Sequence, residues 1–498
     1  MTQYFQDLFT KNEQDSRIIY KSNHQQYTLI ELKTAINILA HSIKTQETSG
    51  NSGQRWLIAT ENHFWFTASL FALLYLAKTP VILGHHQASR IIEQAPEFDG
   101  VIGESALQKK IAYHLPEQLF IALPTQKEMI NDNKTHTSKR GFLSRESCQQ
   151  FTIDETLLIQ SIENINIHIF TSGSSGAPQK ICKPFSILAT ESALLYETFY
   201  AEIQNSHFIS TVSPLHQYGI SFAILLPLRA GVSSNIHAIS YQEELATYQD
   251  ELQITLITSP AFLKRLDLSL QYKSNINTIF SAGGPLSYKD IEDTFSAFNT
   301  MPIEIYGSSE TCVVAYQNYR KDYFNHLSSN NISCSSHPLF KGFKPFKKVL
   351  ISENDDNTIS VNSPLILEGT ISLSDKIRIE NNTFFLLGRN DKIIKIEEKR
   401  VSITDIEQRI ENIIANSKVF IVPLTQGNRI ILGAVIITTN TPPHHSLPTF
   451  SRKIAQKLRE HIEPVAIPRK WRFIDHYPMN TQGKVTQQSL EVLFNEYP

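Results

Sequence analysis

The stretch FTSGSSGAPQK, from Phe170 to Lys180, carries residue types suited to holding a phosphate. Gly173 and Gly176 let the backbone turn successive N–H groups toward one centre. The hydroxyls of Thr171, Ser172, Ser174 and Ser175 add donors, and Lys180 adds a positive charge. The apolar run from Ile165 to Phe170 just upstream reads as a strand. The loop is not a Walker A motif, because GxxxxGK[ST] is missing. A plain Gly/Ser surface turn has the same composition, so the loop gains meaning only from companions elsewhere.

Several companions follow in order. SAGGPLS, Ser281 to Ser287, places Gly283 and Gly284 after an apolar run. IEIYGSSET, Ile303 to Thr311, supplies Tyr306, Gly307, Ser309 and Glu310. A carboxylate such as Glu310 suits Mg2+, a hard ion that prefers oxygen, although a glutamate at a helix start also favours the helix dipole. ISLSDKIRI supplies Asp375, and LLGRNDKIIKIEEKRVSITDIE supplies Arg389, Asp391, Lys395, Lys399 and Arg400. YPMNTQGKVTQQSL, near the end, supplies Lys484 after Gly483. Taken singly, Asp375 and Arg389 read as a surface pair and Lys484 as a solvated charge.

The elements that must position these residues show two rhythms. RWLIAT, PVILGHH, HFISTVSP, ITLITSP and NTIFSAGG are short apolar runs followed by small or polar residues and then amphipathic stretches. That alternation predicts an α/β fold with a mostly parallel sheet covered by helices. Phe64 to Ala77 reads as a buried helix, too short to span a bilayer. After about Gly342, KKVLISENDDNTISVNS and IRIENNTFFLLG read as hairpins with Asn/Asp turns. KIIKI, VFIVPL and LGAVIITT then predict strands, and SITDIEQRIENII and PTFSRKIAQKLREHI predict helices. The boundary between a large first domain, residues 1–388, and a small second one, 389–498, falls within LLGRND. The polar stretch from Lys127 to Gly141 reads as an exposed loop.

With 498 residues, the chain is long enough for at least two cores. A net charge of -2 gives no reason to expect nucleic acid as a partner. Cys148, Cys182, Cys312 and Cys334 show neither CxxC nor metal-ligand spacing, which fits a reducing compartment, and the polar start lacks a signal-peptide core. A cytoplasmic protein with no membrane span is the expectation.

In order and spacing these motifs resemble the adenylate-forming superfamily of acyl-CoA synthetases, aryl-CoA ligases, adenylation domains and luciferase. The resemblance runs from about Ile165 to Leu490. More narrowly, GRNDKIIKIEEKRVS and RKWRFIDHYPMNTQGK resemble AMP-ligases of aryl polyene and xanthomonadin-type pigment clusters. The resemblance implies a large N-terminal domain of parallel sheets with a distorted β-barrel part, and a small mobile C-terminal α+β domain. The active site is then expected in the cleft between them. It implies ATP and Mg2+ as cofactors, a small carboxylic acid as substrate, and CoA or the phosphopantetheine of an acyl carrier protein as acceptor.

The same resemblance assigns roles. Thr171, Ser172, Gly173, Ser174, Ser175 and Gly176 cradle the β- and γ-phosphates, and Glu310 holds Mg2+. Tyr306 stacks on adenine, Gly283 and Gly284 line the adenine slot through their backbone, and Gly307 and Ser309 also bind the nucleotide. Asp375 binds the ribose, and Arg389 reaches the ribose or the α-phosphate. Lys484 reaches the α-phosphate during adenylation, and Asp391 is the hinge. His216, Gln217, Tyr218 and Gly219, in SPLHQYG, line the acid pocket. There are departures. In relatives the lysine follows the proline directly, whereas Gln179 stands between Pro178 and Lys180 here, leaving Lys183 as an alternative cation. The ribose motif TGD is LSD, and a glycine near the pantetheine path is Glu398.

Two other readings stay open at this point: a stand-alone adenylating enzyme without a thioester step, and a non-catalytic relative that only binds. The basic run Arg452, Lys453, Lys457, Arg459, Arg469, Lys470 and Arg472 reads as a solvated face or as a docking patch for an acidic carrier or CoA.

Overall fold

The structure is a computed structural model. It describes the chain except residues 1, 11–15, 23–24, 48–52, 116–117, 124–161, 173–177, 249–252, 273–274, 320–341, 390–392, 397–398, 415–416, 427–428, 439–446, 460–461, 463, 480–484 and 496–498. Two compact units emerge. The first holds Met1–Ser172, Pro178–Leu350 and Asn362–Ile371; the second holds Ile351–Val361 and Ser372–Pro498.

The first unit begins with β1 (Ile18–Lys21), β2 (Gln26–Thr28), β3 (Arg55–Ala59), β4 (Thr79–Ile82), β5 (Gly100–Glu104), β6 (Leu119–Leu123), β7 (Asn166–Ser172) and β8 (Pro178–Pro184). Six of these form one sheet in the order β6-β5-β3-β4-β7-β8. It is parallel up to β7, and β8 returns antiparallel, with Phe170 opposite Lys180. Next come β9 (Ser206–Ser210), β10 (Ser234–Asn235), β11 (Gln253–Thr258), β12 (Ile276–Ala282), β13 (Pro302–Ser308), β14 (Cys312–Asn318) and β15 (Lys344–Pro345). They join β1 and β2 in a nine-stranded sheet ordered β15-β14-β13-β12-β11-β9-β10-β1-β2. From β13 to β1 every pairing is parallel. The parallel α/β organisation expected from the apolar runs is therefore present, with each quoted run on its own strand.

The helix His63–Tyr75 shows why these sheets need a shared interior. It is apolar all round, so no face can meet water, and all thirteen residues are buried. Asn62 caps it by accepting from the Trp65 N–H at 3.0 Å. Phe71 packs among Phe5, Phe9 and Phe185 with ring centroids 4.6–5.8 Å apart. Each such ring stabilises by about 1.5–3 kcal/mol through burial. His63 joins this helix to β10. Its Nδ1 lies 2.8 Å from the Asn235 carbonyl, so that nitrogen carries the proton. Its Nε2 is buried without a hydrogen-bond partner among the described residues.

The remaining strands are β16 (Leu350–Glu353), β17 (Thr358–Asn362), β18 (Thr370–Glu380), β19 (Thr383–Arg389), β20 (Ile393–Ile396), β21 (Lys399–Ser402), β22 (Ser417–Gln426), β23 (Arg429–Thr438) and β24 (Lys470–Ile474). Among the described residues after Gly342, four strands form one sheet in the order β16-β17-β18-β19. Its β18–β19 hairpin turns on Asn381 and Asn382, at φ +47° and +63°. Those angles suit a two-residue hairpin turn. In the three-stranded sheet β22-β23-β24, side chains alternate between two cores. Leu432, Ala434 and Ile436 meet helices Ile403–Ile413 and Leu447–Leu458, while Val435 meets Leu490 and Phe494. Gly433 is fixed by closeness, since a Cβ there would stand 2.7 Å from Phe494 Cζ.

Of the basic run, Arg452, Lys453, Lys457, Arg459, Arg469 and Lys470 are exposed. Arg472 is held inside the unit, donating to the Leu493 carbonyl at 2.8 Å. The stretch from Lys127 to Gly141 lies outside the described residues. Among the described residues no helix is long and apolar enough to cross a membrane.

Burial pushes the His63 imidazole down from 6.5 to about 4, so it is neutral at pH 7. Between those values the unfolded chain takes up a proton that the folded chain refuses, so stability falls as pH drops from 6.5 toward 4. The full effect is about 3 kcal/mol. Denaturant titrations of a His63→Gln variant are expected to show a flatter pH profile across this window.

Candidate active site

In parallel α/β sheets, ligands bind beyond the carboxyl ends of the strands, where loops converge. The expected residues of the first unit stand at such ends. Thr171 and Ser172 close β7, Gly283 and Gly284 follow β12, Tyr306 and Gly307 end β13, and Ser309 and Glu310 form the turn after it. His216 lies in the loop after β9.

Contacts tie these ends together. Gly84, just past β4 at φ +78°, is hemmed in: a Cβ there would lie 3.3 Å from the Phe170 carbonyl and 3.4 Å from His216 Cε1. His216 therefore sits beside the strand that leads into the Ser/Gly loop. The loop carrying it is tightly wound, since a Cβ on Gly219 would stand 2.1 Å from the Ser213 carbonyl. A π-helical turn, Ile220–Leu225, follows. Tyr218 donates its hydroxyl to the Phe280 carbonyl of β12 at 3.0 Å. Its ring lies 4.7 Å from Phe222, which in turn lies 5.4 Å from Phe280. Gln217 turns the other way and donates to Cys312 Sγ at 3.1 Å.

The Gly-Gly turn after β12 leaves its backbone open. Gly283 is at φ +94° with nothing within 4 Å of where a Cβ would be, and the nearest atom to Gly284 is Pro260 Cγ at 3.8 Å. Glu304, buried on β13, fixes the following residues by accepting from the Leu286 N–H at 2.8 Å and from the Tyr319 hydroxyl. Ser287 and Asp290 then start helix Tyr288–Phe298 with a capping box. Ser281 Oγ is buried with no hydrogen-bond partner among the described residues.

The turn from Ser308 to Cys312 is latched internally. Ser308 N–H donates to Thr311 Oγ1 at 3.0 Å, and Thr311 N–H donates to Ser308 Oγ at 3.2 Å. Gly307 has no alternative, since a Cβ would fall 2.2 Å from the Cys312 carbonyl. Tyr306 is half-buried, its ring 5.8 Å from Phe343. The Glu310 side chain is half-exposed and has no protein partner among the described residues. Burial, and then the Glu191 carboxylate, pushes the Cys312 thiol up to about 12, so it stays protonated.

The two lysines of β8 have distinct partners. Lys180 Nζ lies 2.8 Å from Glu97 Oε2. Lys183 is buried, and its Nζ donates to the Glu310 carbonyl at 2.9 Å. Glu191 is a functional candidate that sequence reasoning missed. The signal was available: Leu188, Glu191 and Leu195 share the spacing of a buried helical face, and one of the three is a carboxylate.

In the second unit, Asp375 on β18 and Arg389 on β19 are directly opposite in the antiparallel register. The expected ribose-binding residue and its basic neighbour thus share one hairpin. Gly173, Ser174, Ser175, Gly176, Asp391, Glu398 and Lys484 lie outside the described residues, as do the side chains of Ser172 and Arg389.

Open backbone, hydroxyls and a half-exposed carboxylate thus gather at the carboxyl ends of parallel strands, the region where α/β proteins bind ligands. The family model described as AMP-binding enzyme matches residues 9–333, and the chain belongs to that family, within the adenylate-forming superfamily. Over 128 residues it is 24% identical to the D-alanine--D-alanyl carrier protein ligase of Staphylococcus aureus. That match spans about a quarter of each protein, 25% of this chain and 26% of the ligase. The fold is similar to that of ATP-bound MatB from Rhodopseudomonas palustris, with TM-score 0.70, 16% identity and 99% of each chain covered. It is also similar to a benzoate CoA ligase from Burkholderia xenovorans, with TM-score 0.71, 15% identity and coverage of 98% of this chain and 99% of that one.

Two glycines separate close packing from backbone freedom. Gly307→Ala is expected to destabilise by about 1–3 kcal/mol and displace the Glu310 turn, because a clash must be relieved. Gly283→Ala meets no atom, so only its positive φ opposes it, at about 1 kcal/mol. Paired chemical-denaturation midpoints check the order.

Proposed function

We propose that the chain joins a carboxylic acid to AMP and then passes the acyl group to a thiol. The substrate carboxylate attacks the α-phosphorus of ATP; pyrophosphate leaves and an acyl-adenylate remains. The thiol of CoA or of a carrier's phosphopantetheine then attacks the acyl carbon, loses its proton, and AMP departs. The observation that carries this reading is the Glu310 carboxylate, half-exposed and without a protein partner among the described residues, set among loops at the carboxyl ends of two parallel sheets in a chain of the AMP-binding enzyme family.

Mg2+ fits this donor set. It is commonly held by one or two carboxylates with substrate phosphates and water completing its shell. Among the described residues no cluster of three or more His, Cys, Asp or Glu competes with that mode. Bound at Glu310, the ion neutralises charge gathering on the phosphates. Thr171 and Ser172 supply donors on the phosphate side. The open Gly283–Gly284 backbone and Tyr306 receive the adenine, and Asp375 and Arg389 the ribose. Lys484 serves the α-phosphate, and Asp391 is the hinge of a second domain running from 389 to 498. An aromatic acid is the favoured substrate. The Tyr218–Phe222–Phe280 cluster beside the His216 loop and the likeness to aryl polyene AMP-ligases support it. CoA or an acyl carrier protein is the acceptor. Glu398 favours a second reading in which the chain stops at the adenylate, since a charged side chain replaces glycine near the pantetheine path.

ATP–pyrophosphate exchange across benzoates, cinnamates, hydroxybenzoates and graded fatty acids tests the first step. Exchange with the aromatic members is expected. Lys484→Ala should lower it by about 10²-fold or more, the scale for losing one donor at a developing charge. A trapped thioester on CoA or on a pantetheinylated carrier then distinguishes the two readings. Tight ATP binding without exchange for any acid would leave only a binding protein.

A further inference from the structure

Glu310 is held from behind by buried charges that the adenylation chemistry does not itself call for. Lys183 is 4% exposed and Glu191 2%. Lys183 reaches in from β8 and donates to the Glu310 carbonyl at 2.9 Å and to Cys312 Sγ at 3.2 Å. Glu191, from helix Phe185–Ile203, accepts the Val313 N–H at 2.9 Å and the Ser221 hydroxyl at 2.5 Å. Gln217 completes the set through Cys312 Sγ at 3.1 Å. The backbone is therefore gripped at residue 310 on one side and at residue 313 on the other. Between the grips lies Cys312, a non-glycine residue at φ +60°, a conformation that persists only when its surroundings enforce it.

We propose that Lys183 and Glu191 are positioning residues that fix the backbone of the Glu310 turn and so aim the Glu310 carboxylate at Mg2+–ATP. The proposal rests on the reading of Glu310 as the metal-facing carboxylate. Stability alone does not account for the arrangement. Buried ionisable side chains carry a desolvation cost and are replaceable by well-packed apolar ones at little or no loss, and this interior has abundant aromatic and aliphatic packing. What apolar side chains cannot do is hydrogen-bond a turn's carbonyl and N–H. Each of the two side chains bonds a main-chain atom, and among the described residues the Glu310 side chain keeps no protein partner. The internal Ser308–Thr311 latch shapes the turn but does not place it relative to β7 and β8; the brace does. The latter also links the His216 loop, through Gln217, to the same turn.

The test measures Mn2+ affinity of the full-length protein with bound ATP, by electron paramagnetic resonance. ATP affinity in excess chelator and the denaturation midpoint are measured beside it. Lys183→Met, which keeps the stem and removes the donors, is expected to weaken Mn2+ binding by about tenfold, the scale found for partners that orient metal ligands. Metal-free ATP affinity is expected to stay unchanged. Lys183→Arg is expected to recover part of the loss. Glu191→Gln keeps an acceptor for Val313 N–H and removes the charge, so a smaller loss is expected; it is the second variant if Lys183→Met does not fold. Glu310→Gln is the control. Weakened Mn2+ binding in Glu310→Gln, with none in Lys183→Met or Glu191→Gln, overturns the brace alone. Unchanged Mn2+ binding in Glu310→Gln overturns the reading of Glu310 and the brace with it.

Discussion

A turn that must offer a carboxylate to a ligand cannot use that carboxylate to hold itself in place. Its position has to come from main-chain groups, and main-chain groups shut away from water need partners. In this protein the partners are buried ionisable side chains. Lys183 meets the Glu310 carbonyl, Glu191 meets the Val313 N–H, and Glu304 meets the Leu286 N–H. Each comes from a regular element and holds a main-chain group just beyond the carboxyl end of a parallel strand, two in turns and one at the start of β14. These segments are thereby fixed through their main chain, and the Glu310 side chain takes no part in those bonds.

The same constraint explains the glycines. A chain that folds back on itself within a few residues leaves no room for Cβ atoms where its strands touch. Gly307 lies against Cys312, and Gly219 against Ser213. Gly283 is different, because its surroundings are open and only its φ singles it out. Glycine thus does two jobs near the site: it admits backbone against backbone in two loops, and it exposes backbone in a third.

Desolvation sets the electrostatic character of the interior. His63 is kept neutral by burial, and the Cys312 thiol is kept protonated. Burial also pushes the carboxyls of Glu191 and Glu304 up, opposed by the donors that hold them. Glu310 stands apart as the half-exposed member of this neighbourhood, facing solvent while its own carbonyl is tied down behind it.

Much of the architecture was legible in the residue order. Apolar runs ending in small residues marked β3, β4, β9, β11 and β12, and the Asn pair at 381–382 marked the β18–β19 turn, because local backbone preference and alternating burial are written locally. The motif order pointed to the family, and the spacing of Asp375 and Arg389 was compatible with their meeting across a hairpin. Other features depended on packing between segments distant in sequence. Which sheet a strand joins, and the union of β1 and β2 with β10, come from long-range pairing. So does the fate of the two lysines on β8: strand alternation turned Lys183 inward to the Glu310 turn, and Lys180 found Glu97. The sequence by itself determined the local elements and the chemistry available to them. Only the tertiary structure decided which buried charge would hold which loop, because a hydrogen bond between residues 183 and 310 exists only once the intervening chain has folded them together.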